Sequence, residues 1–151
     1  MPAIDVVSDA NVALKWFHAE GEQEVAEARA LVDAHQARTV ALSVLDLTFY
    51  EVGNALLRGR AGASAEQVAT VLEALGAVCP AVQPSPEERR LAAELAERHD
   101  LTLYDATYAA VAESREATLA TLDNELLEAG LGTRPSELAV RVAKAEGRGG
   151  R

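Results

Sequence analysis

Residues 4–12, Ile-Asp-Val-Val-Ser-Asp-Ala-Asn-Val, constrain the fold of this chain more than any other stretch. Ile4, Val6 and Val7 are β-branched, a shape that packs well on a pleated and buried surface. Ser8 and Asp9 then stop the apolar run, and residues 11–17 take up helical spacing, with Val12, Leu14, Trp16 and Phe17 available for packing. A strand that gives way to a helix so abruptly ends at the carboxyl edge of a sheet, where open α/β sheets bind their ligands. Asp9 stands on that edge. Taken alone, it needs no explanation beyond capping the helix that follows. The arrangement recurs, however, further along.

Helical spacing resumes over residues 22–36, after a break at Gly21, and residues 39–43 read as a second short strand. A third helix is expected over 45–58, ended by Gly59 and Gly62, and a fourth over 65–75, opened by Ser64 and closed by Gly76. Residues 78–83 read as a strand whose Pro80 argues for an edge position. Ser85-Pro86-Glu87-Glu88 has the features of a helix start: a cap, a proline in the first turn, and acids facing the dipole. That helix should reach Arg98 or His99. Then come a helix over 103–114, a strand over 118–122, a short helix over 124–129 and a last helix beyond Ser136. Strands alternate with helices throughout, which argues for a three-layer α/β/α domain on a central, mostly parallel sheet. The expected domain covers residues 1–145, with 146–151 (Glu-Gly-Arg-Gly-Gly-Arg) a flexible tail.

The 151 residues suffice for one domain, and 49% hydrophobic with 25% charged residues is a globular composition. No apolar run approaches the roughly 18 residues of a membrane span. The first residues lack the basic-then-apolar pattern of a secretory leader, so a cytoplasmic location is expected. Cys79 is the only cysteine, which excludes an internal disulfide and a cysteine-based zinc cluster. The net charge of −10 has the wrong sign for holding nucleic acid by phosphate neutralisation. Either the partner is not a nucleic acid or bound cations reverse the field locally.

Asp9 and Asp123 both end strands and precede helices, and Asp105 sits at a helix start. If the two strands are parallel neighbours, Asp9 and Asp123 meet at one sheet edge. Glu51 lies instead inside the 45–58 helix, where Leu45, Phe49, Val52 and Leu56 form an apolar stripe and Glu51 shares another side with Asn54 and Arg58. That side is open to two readings: a solvated face paired within itself, or a narrow polar strip serving an internal site. Crowded carboxylates persist where a divalent cation binds them, where protons are shared, or where function requires them. Oxygen donors without His or Cys select hard cations, Mg²⁺ or Mn²⁺.

Four segments carry a family resemblance: Val7-Ser8-Asp9-Ala10-Asn11-Val12, Tyr50-Glu51-Val52-Gly53-Asn54-Ala55-Leu56, Leu103-Tyr104-Asp105-Ala106-Thr107-Tyr108 and Leu119-Ala120-Thr121-Leu122-Asp123. In order and spacing the set resembles the PIN-domain family, and within it the VapC-type toxin ribonucleases, over nearly the whole chain. The resemblance implies a Mg²⁺- or Mn²⁺-dependent endoribonuclease, the toxin of a type II toxin-antitoxin system. Its site acids and metal ligands would be Asp9, Glu51, Asp105 and Asp123, supported by Thr121 and Asn11. Leu45 departs from the pattern, standing where a proline often precedes the third helix.

The resemblance further implies RNA as substrate, products with a 5′-phosphate and a 3′-hydroxyl, a homodimer, and a cognate VapB-like antitoxin. Such a partner would place an Arg or Lys at Asp9 and Asp105 and cover apolar positions such as Trp16, Phe17 and Leu57. Lys15, Arg58, Arg60 and the tail arginines Arg148 and Arg151 are candidates for contact with the RNA backbone. Two other readings stay open: a housekeeping RNA-processing or DNA-flap nuclease, and a non-catalytic α/β module.

Overall fold

A computed structural model of the chain describes residues 2–19, 23–60 and 62–149. Strand β1 (Ile4–Ser8) runs directly into helix α1 (Ala10–Ala13), which tightens into a 3₁₀ turn at Leu14–Trp16. There follow α2 (Val25–Gln36), β2 (Val40–Leu45), α3 (Asp46–Arg58), α4 (Ala65–Val78), β3 (Ala81–Val82), α5 (Pro86–His99) and α6 (Leu103–Ser114). The chain continues through β4 (Thr118–Ala120), α7 (Asn124–Glu128) and α8 (Pro135–Gly149).

The four strands are all parallel, in the order β3-β2-β1-β4. Successive residues of a strand point to opposite faces, and β1 shows the consequence. Val6 joins the core built with α1, α2, α3 and α8, whereas Val7 joins the core built with α5, α6 and α7. The sheet is therefore buried on both faces, as a parallel sheet requires. Placing β1 and β4 side by side, with Ser8 opposite Ala120, brings the chain beyond both strands to one edge.

Several elements differ from the sequence reading, each for a local reason. Helix α4 does not stop at Gly76; it continues through Val78, and Cys79, which precedes Pro80, is extended. A residue before proline is pushed from the helical region to the extended one. The edge strand β3 is only two residues long, and its position is the one Pro80 implied. Helix α2 begins at Val25 because Glu24 takes a left-handed conformation (φ 59°). The Glu24 carboxylate instead accepts from the Ser136 N–H at 2.8 Å and Arg134 at 3.0 Å, seating the start of α8. The expected break at Gly21 and helix start at Glu22 lie outside the described residues. Helix α8 extends through Gly149, past Glu146 where the loose tail was expected to begin; residues 150 and 151 lie outside the described residues.

Two features fasten the α5–α6 layer. Ser85 and Glu88 form a reciprocal capping box at the start of α5. Glu88, itself buried, also accepts from Arg115 Nε and Nη2, both at 2.9 Å, which ties that start to the end of α6. The Arg115 guanidinium holds the Glu88 carboxyl down at about 2.

Candidate active site

The edge beyond β1 and β4 gathers carboxylates from four segments. Asp9 follows β1 directly, caps α1, and is 4% exposed. Its Oδ1 accepts from the Ala10 N–H at 2.7 Å, and its Oδ2 accepts from the Thr121 hydroxyl at 2.7 Å. Thr121 is fully buried just past β4, and its Oγ1 also accepts from the Asp123 N–H at 3.0 Å. One hydroxyl therefore joins two acids from distant parts of the chain. Asn11 adds a second tie, since its Oδ1 accepts from the Leu122 N–H at 3.1 Å while its Nδ2 lies 3.5 Å from Asp9 Oδ2. Asp123 caps α7, its Oδ1 accepting from the Glu125 and Leu126 N–H groups at 2.8 and 3.3 Å.

Asp105 enters from the first turn of α6, whose cap Thr102 accepts from the Asp105 N–H at 3.1 Å. Glu51 enters from the middle of α3 and decides between the two readings of that helix. It does not pair with Asn54 or Arg58, both exposed; Oε1 accepts instead from the buried Tyr108 hydroxyl at 2.7 Å. Tyr108 OH in turn lies 2.8 Å from the Thr48 hydroxyl.

The acids feel one another. Burial, with the Glu51 and Asp105 charges adding to it, raises Asp9 to about 7 against the opposing bonds from Thr121 and Ala10. Burial and the Asp105 charge also raise Glu51. Asp105 is raised by burial and by Asp123, with a further contribution from Glu125. Asp105 is thus the centre of the group. Two carboxylates about 5 Å apart at an effective dielectric near 20 repel by on the order of 3 kcal/mol. A hydrogen bond to a charged group returns roughly 1.5–3 kcal/mol, which offsets part of this repulsion at Asp9, Glu51 and Asp123.

The donor set fits a hard divalent ion. Carboxylate oxygens of Asp105, Asp123 and Glu125 all lie within 4.8 Å of one another. Ligands on opposite sides of one ion span about that distance at metal–oxygen separations of roughly 2.1–2.4 Å. The set contains oxygen donors only, as Mg²⁺ or Mn²⁺ prefer.

All four sequence-derived acids therefore come to one sheet edge, with Thr121 and Asn11 between them. The sequence reading missed three participants. Glu125 lies two residues past Asp123, in the first turn of the helix that Asp123 caps. Tyr108 and Thr48 stand one helical turn from Asp105 and Glu51, a spacing of three that places side chains on a common face. Trp16, expected as a surface for a partner, belongs to the fold: its indole N–H donates to the Ala28 carbonyl at 2.9 Å. Phe17 lines an apolar groove of about 590 Å³ together with Leu14, Ala55, Leu56 and Val71. Leu57 is exposed. Of the basic candidates, Arg58 and Arg60 are exposed, Lys15 is half-buried, and Arg151 lies outside the described residues.

Comparison with known proteins bears on the fold and the family. The family model described as PIN domain matches residues 6–131. Ribonuclease VapC3 of Pyrobaculum aerophilum is 37% identical over 127 residues, covering 82% of this chain and 92% of the relative. Exonuclease VapC9 of the same organism is 39% identical over 109 residues, covering 68% of this chain and 77% of the relative. Among solved structures, PAE2754 from Pyrobaculum aerophilum superposes with a TM-score of 0.69 at 27% identity, covering 94% of this chain and 98% of that one.

Proposed function

The chain belongs to the PIN domain family, and from that premise we propose that it is a divalent-metal-dependent endoribonuclease, the toxin of a toxin-antitoxin pair. The observation that carries the reading is the coupling of Asp9, Glu51, Asp105 and Asp123 around one sheet edge, with Asp105 in contact with the fields of the other three. VapC-named relatives that are a ribonuclease and an exonuclease support the nuclease part.

Asp9, Glu51, Asp105 and Asp123 are the residues that would hold the ion, with Glu125 completing its surroundings. A bound Mg²⁺ or Mn²⁺ lowers the pKa of its water and neutralises charge on the phosphate. The chain's own residues supply the rest. Thr121 ties the Asp9 carboxylate to the main chain of Asp123 through one oxygen, so the two segments that carry these acids are held together by the chain itself. Glu51 stands within the field of Asp9 and Asp105 and orients the attacking water or accepts its proton. Hydrolysis adds water across the P–O3′ bond and leaves a 5′-phosphate and a 3′-hydroxyl. The acids attract the ion and the ion attracts the RNA, which reconciles a net charge of −10 with a nucleic-acid substrate.

The same concentration of negative charge defines the partner. An antitoxin segment carrying an Arg or Lys toward Asp9 and Asp105 satisfies the acids without a metal; arginine suits this best, since its planar fork binds carboxylate oxygens in pairs. The apolar groove beside it is walled partly by α3, with Ala55 one turn beyond Glu51, and takes the apolar side chains of that segment. A homodimer accords with the exposure of Tyr50 (76%), Tyr104 (63%) and Leu103 next to Glu51 and Asp105. Among the described residues no helix is long and apolar enough to cross a membrane, and the proposed site of action is the cytoplasm.

Cleavage of total RNA in Mn²⁺, with 5′ ends mapped, tests the activity. The expected result is internal cuts bearing 5′-phosphates, lost with EDTA and in Asp9→Asn. Shortening from one end only refutes the endonucleolytic part, and preference for a DNA flap refutes the RNA substrate. Expressing the chain alone should slow growth, and co-expressing the adjacent small protein should restore it. An active nuclease that is harmless when expressed alone refutes the toxin reading and leaves a housekeeping nuclease.

A further inference from the structure

The hydroxyls behind Glu51 form a chain whose polarity is determined. Thr48 and Tyr108 are both fully buried. The Leu45 N–H donates to Thr48 Oγ1 at 3.0 Å, the two hydroxyl oxygens lie 2.8 Å apart, and Tyr108 donates to Glu51 Oε1 at 2.7 Å. Each hydroxyl has one hydrogen, and a carboxylate only accepts. The hydrogen of Tyr108 is committed to Glu51, so Thr48 must donate to Tyr108. The chain runs one way, from the main chain at the start of α3 to the carboxylate.

We propose that Tyr108, oriented by Thr48, is the positioning residue that holds Glu51 inside the acid group and leaves Oε2 as the oxygen it offers to a divalent cation. The proposal rests on the metal-nuclease reading above and adds to it how one acid is kept in place.

Satisfying a buried phenol does not account for the arrangement, because Thr48 alone would give Tyr108 OH a partner. Glu51 is the member that needs the bond. Its side chain is long, Asp9 and Asp105 both repel it, and Tyr108 is its one hydrogen-bond partner among the described residues. Tyr108 also lies one turn beyond Asp105 on α6. A single rigid helix therefore carries one acid and fixes a second, so the spacing between the Asp105 and Glu51 carboxylates is set by the helix and not by the ion.

Calorimetric titration of the metal-free protein with Mn²⁺ tests this, alongside steady-state cleavage kinetics. Tyr108→Phe should weaken Mn²⁺ binding about 10- to 100-fold, the usual cost of losing a group that orients a ligand. It should lower kcat while KM for RNA stays within about twofold. In a Glu51→Gln background the same change should have no further effect on Mn²⁺ binding, because Tyr108 acts only through Glu51. Thr48→Ser, which keeps the hydroxyl, should bind Mn²⁺ as the wild type does. A folded Tyr108→Phe protein with wild-type Mn²⁺ affinity overturns the proposal, as does an equal loss in the Glu51→Gln background. Should Tyr108→Phe fail to fold, Thr48→Val cuts the chain one link earlier and is read by the same criteria. If Asp9→Asn and Glu51→Gln both bind Mn²⁺ like the wild type, the metal reading itself fails, an outcome distinct from failure of the positioning proposal.

Discussion

Replacing Asp9 by asparagine should change the pH dependence of stability in the metal-free protein, with a sign and size that follow from its surroundings. Burial, aided by Glu51 and Asp105, raises its carboxyl from an ordinary value of 3.8 to about 7. Between those values the native state binds more protons than the unfolded chain, so stability falls as pH rises. The stabilising condition is the protonated one: the penalty is absent below the unfolded value, grows through the window, and is complete above about 7. At 1.36 kcal/mol per pH unit, the whole penalty is about 4 kcal/mol, of which roughly 2.5 kcal/mol accrues between pH 5 and pH 8. Asparagine keeps the shape and has no charge to desolvate. Its amide meets either Ala10 N–H or Thr121 with the wrong group, at a cost of about 1–3 kcal/mol. That cost does not vary with pH, so the informative quantity is the change in the wild-type-minus-variant difference. Urea unfolding in EDTA at pH 5, 6, 7 and 8 measures it. Asp9→Asn should gain on the wild type by roughly 2–3 kcal/mol from pH 5 to pH 8. A difference that stays flat to within about 0.5 kcal/mol refutes a crowded, desolvated Asp9.

Mn²⁺ at a hundred times its dissociation constant should stabilise the wild type by about 2.7 kcal/mol; a melting curve shows this as a rise of several degrees, absent in Asp9→Asn. Gly132→Ala should lower cleavage while leaving most of the fold, because the added Cβ would collide with Thr121 Cγ2 and displace the hydroxyl that holds Asp9; unchanged kcat counts against the role given to Thr121. Arg115→Gln should cost about 1–3 kcal/mol at pH 7, discounted for the half-exposed guanidinium, since it leaves the buried Glu88 carboxylate unpaired. The Glu88 carboxyl is held at about 2 against an ordinary 4.5, so its contribution is present above 4.5 and fades as pH falls toward 2. Urea titrations at pH 7 and pH 3 should show the gap between Arg115→Gln and the wild type narrowing.

How much of this was legible depended on whether the signal was local. The junction at Asp9 and the helix start at Ser85 hold because strand residues, caps and turns act over a few neighbours. The neighbouring placement of β1 and β4 entered the sequence reading only as a condition, and it is the strand pairing itself that meets it. The extent of α4 did not follow. Gly76 lowers helix propensity by only about 1 kcal/mol, and the helix continues past it until the residue before Pro80 turns extended. The observed start of α2 at Val25 is set from a distance, because Glu24 is drawn away by the start of α8. At the site, Asp9, Asp105 and Asp123 were readable from their places at element ends. Glu51 was ambiguous because a polar strip on a helix looks alike whether it faces water or a Tyr108 from another helix. Gly132 was invisible, since its importance lies in a methyl group of Thr121 that sequence does not bring near it.

Two of the acids, Asp9 and Asp123, are also the residues that cap α1 and α7. Asparagine is about as good a cap as aspartate, and a single-nucleotide change converts one to the other. The chemistry of this edge can therefore be extinguished in one mutational step that leaves both helices capped, and at Asp9 relieves a buried charge. In a lineage where the nuclease burdens its host, silenced copies are then predicted to persist as folded proteins that still occupy the partner, not to be lost by unfolding. The fold can outlast its reaction because the residues that make the site hazardous are also residues on which the architecture rests, and only one of those two duties depends on the charge.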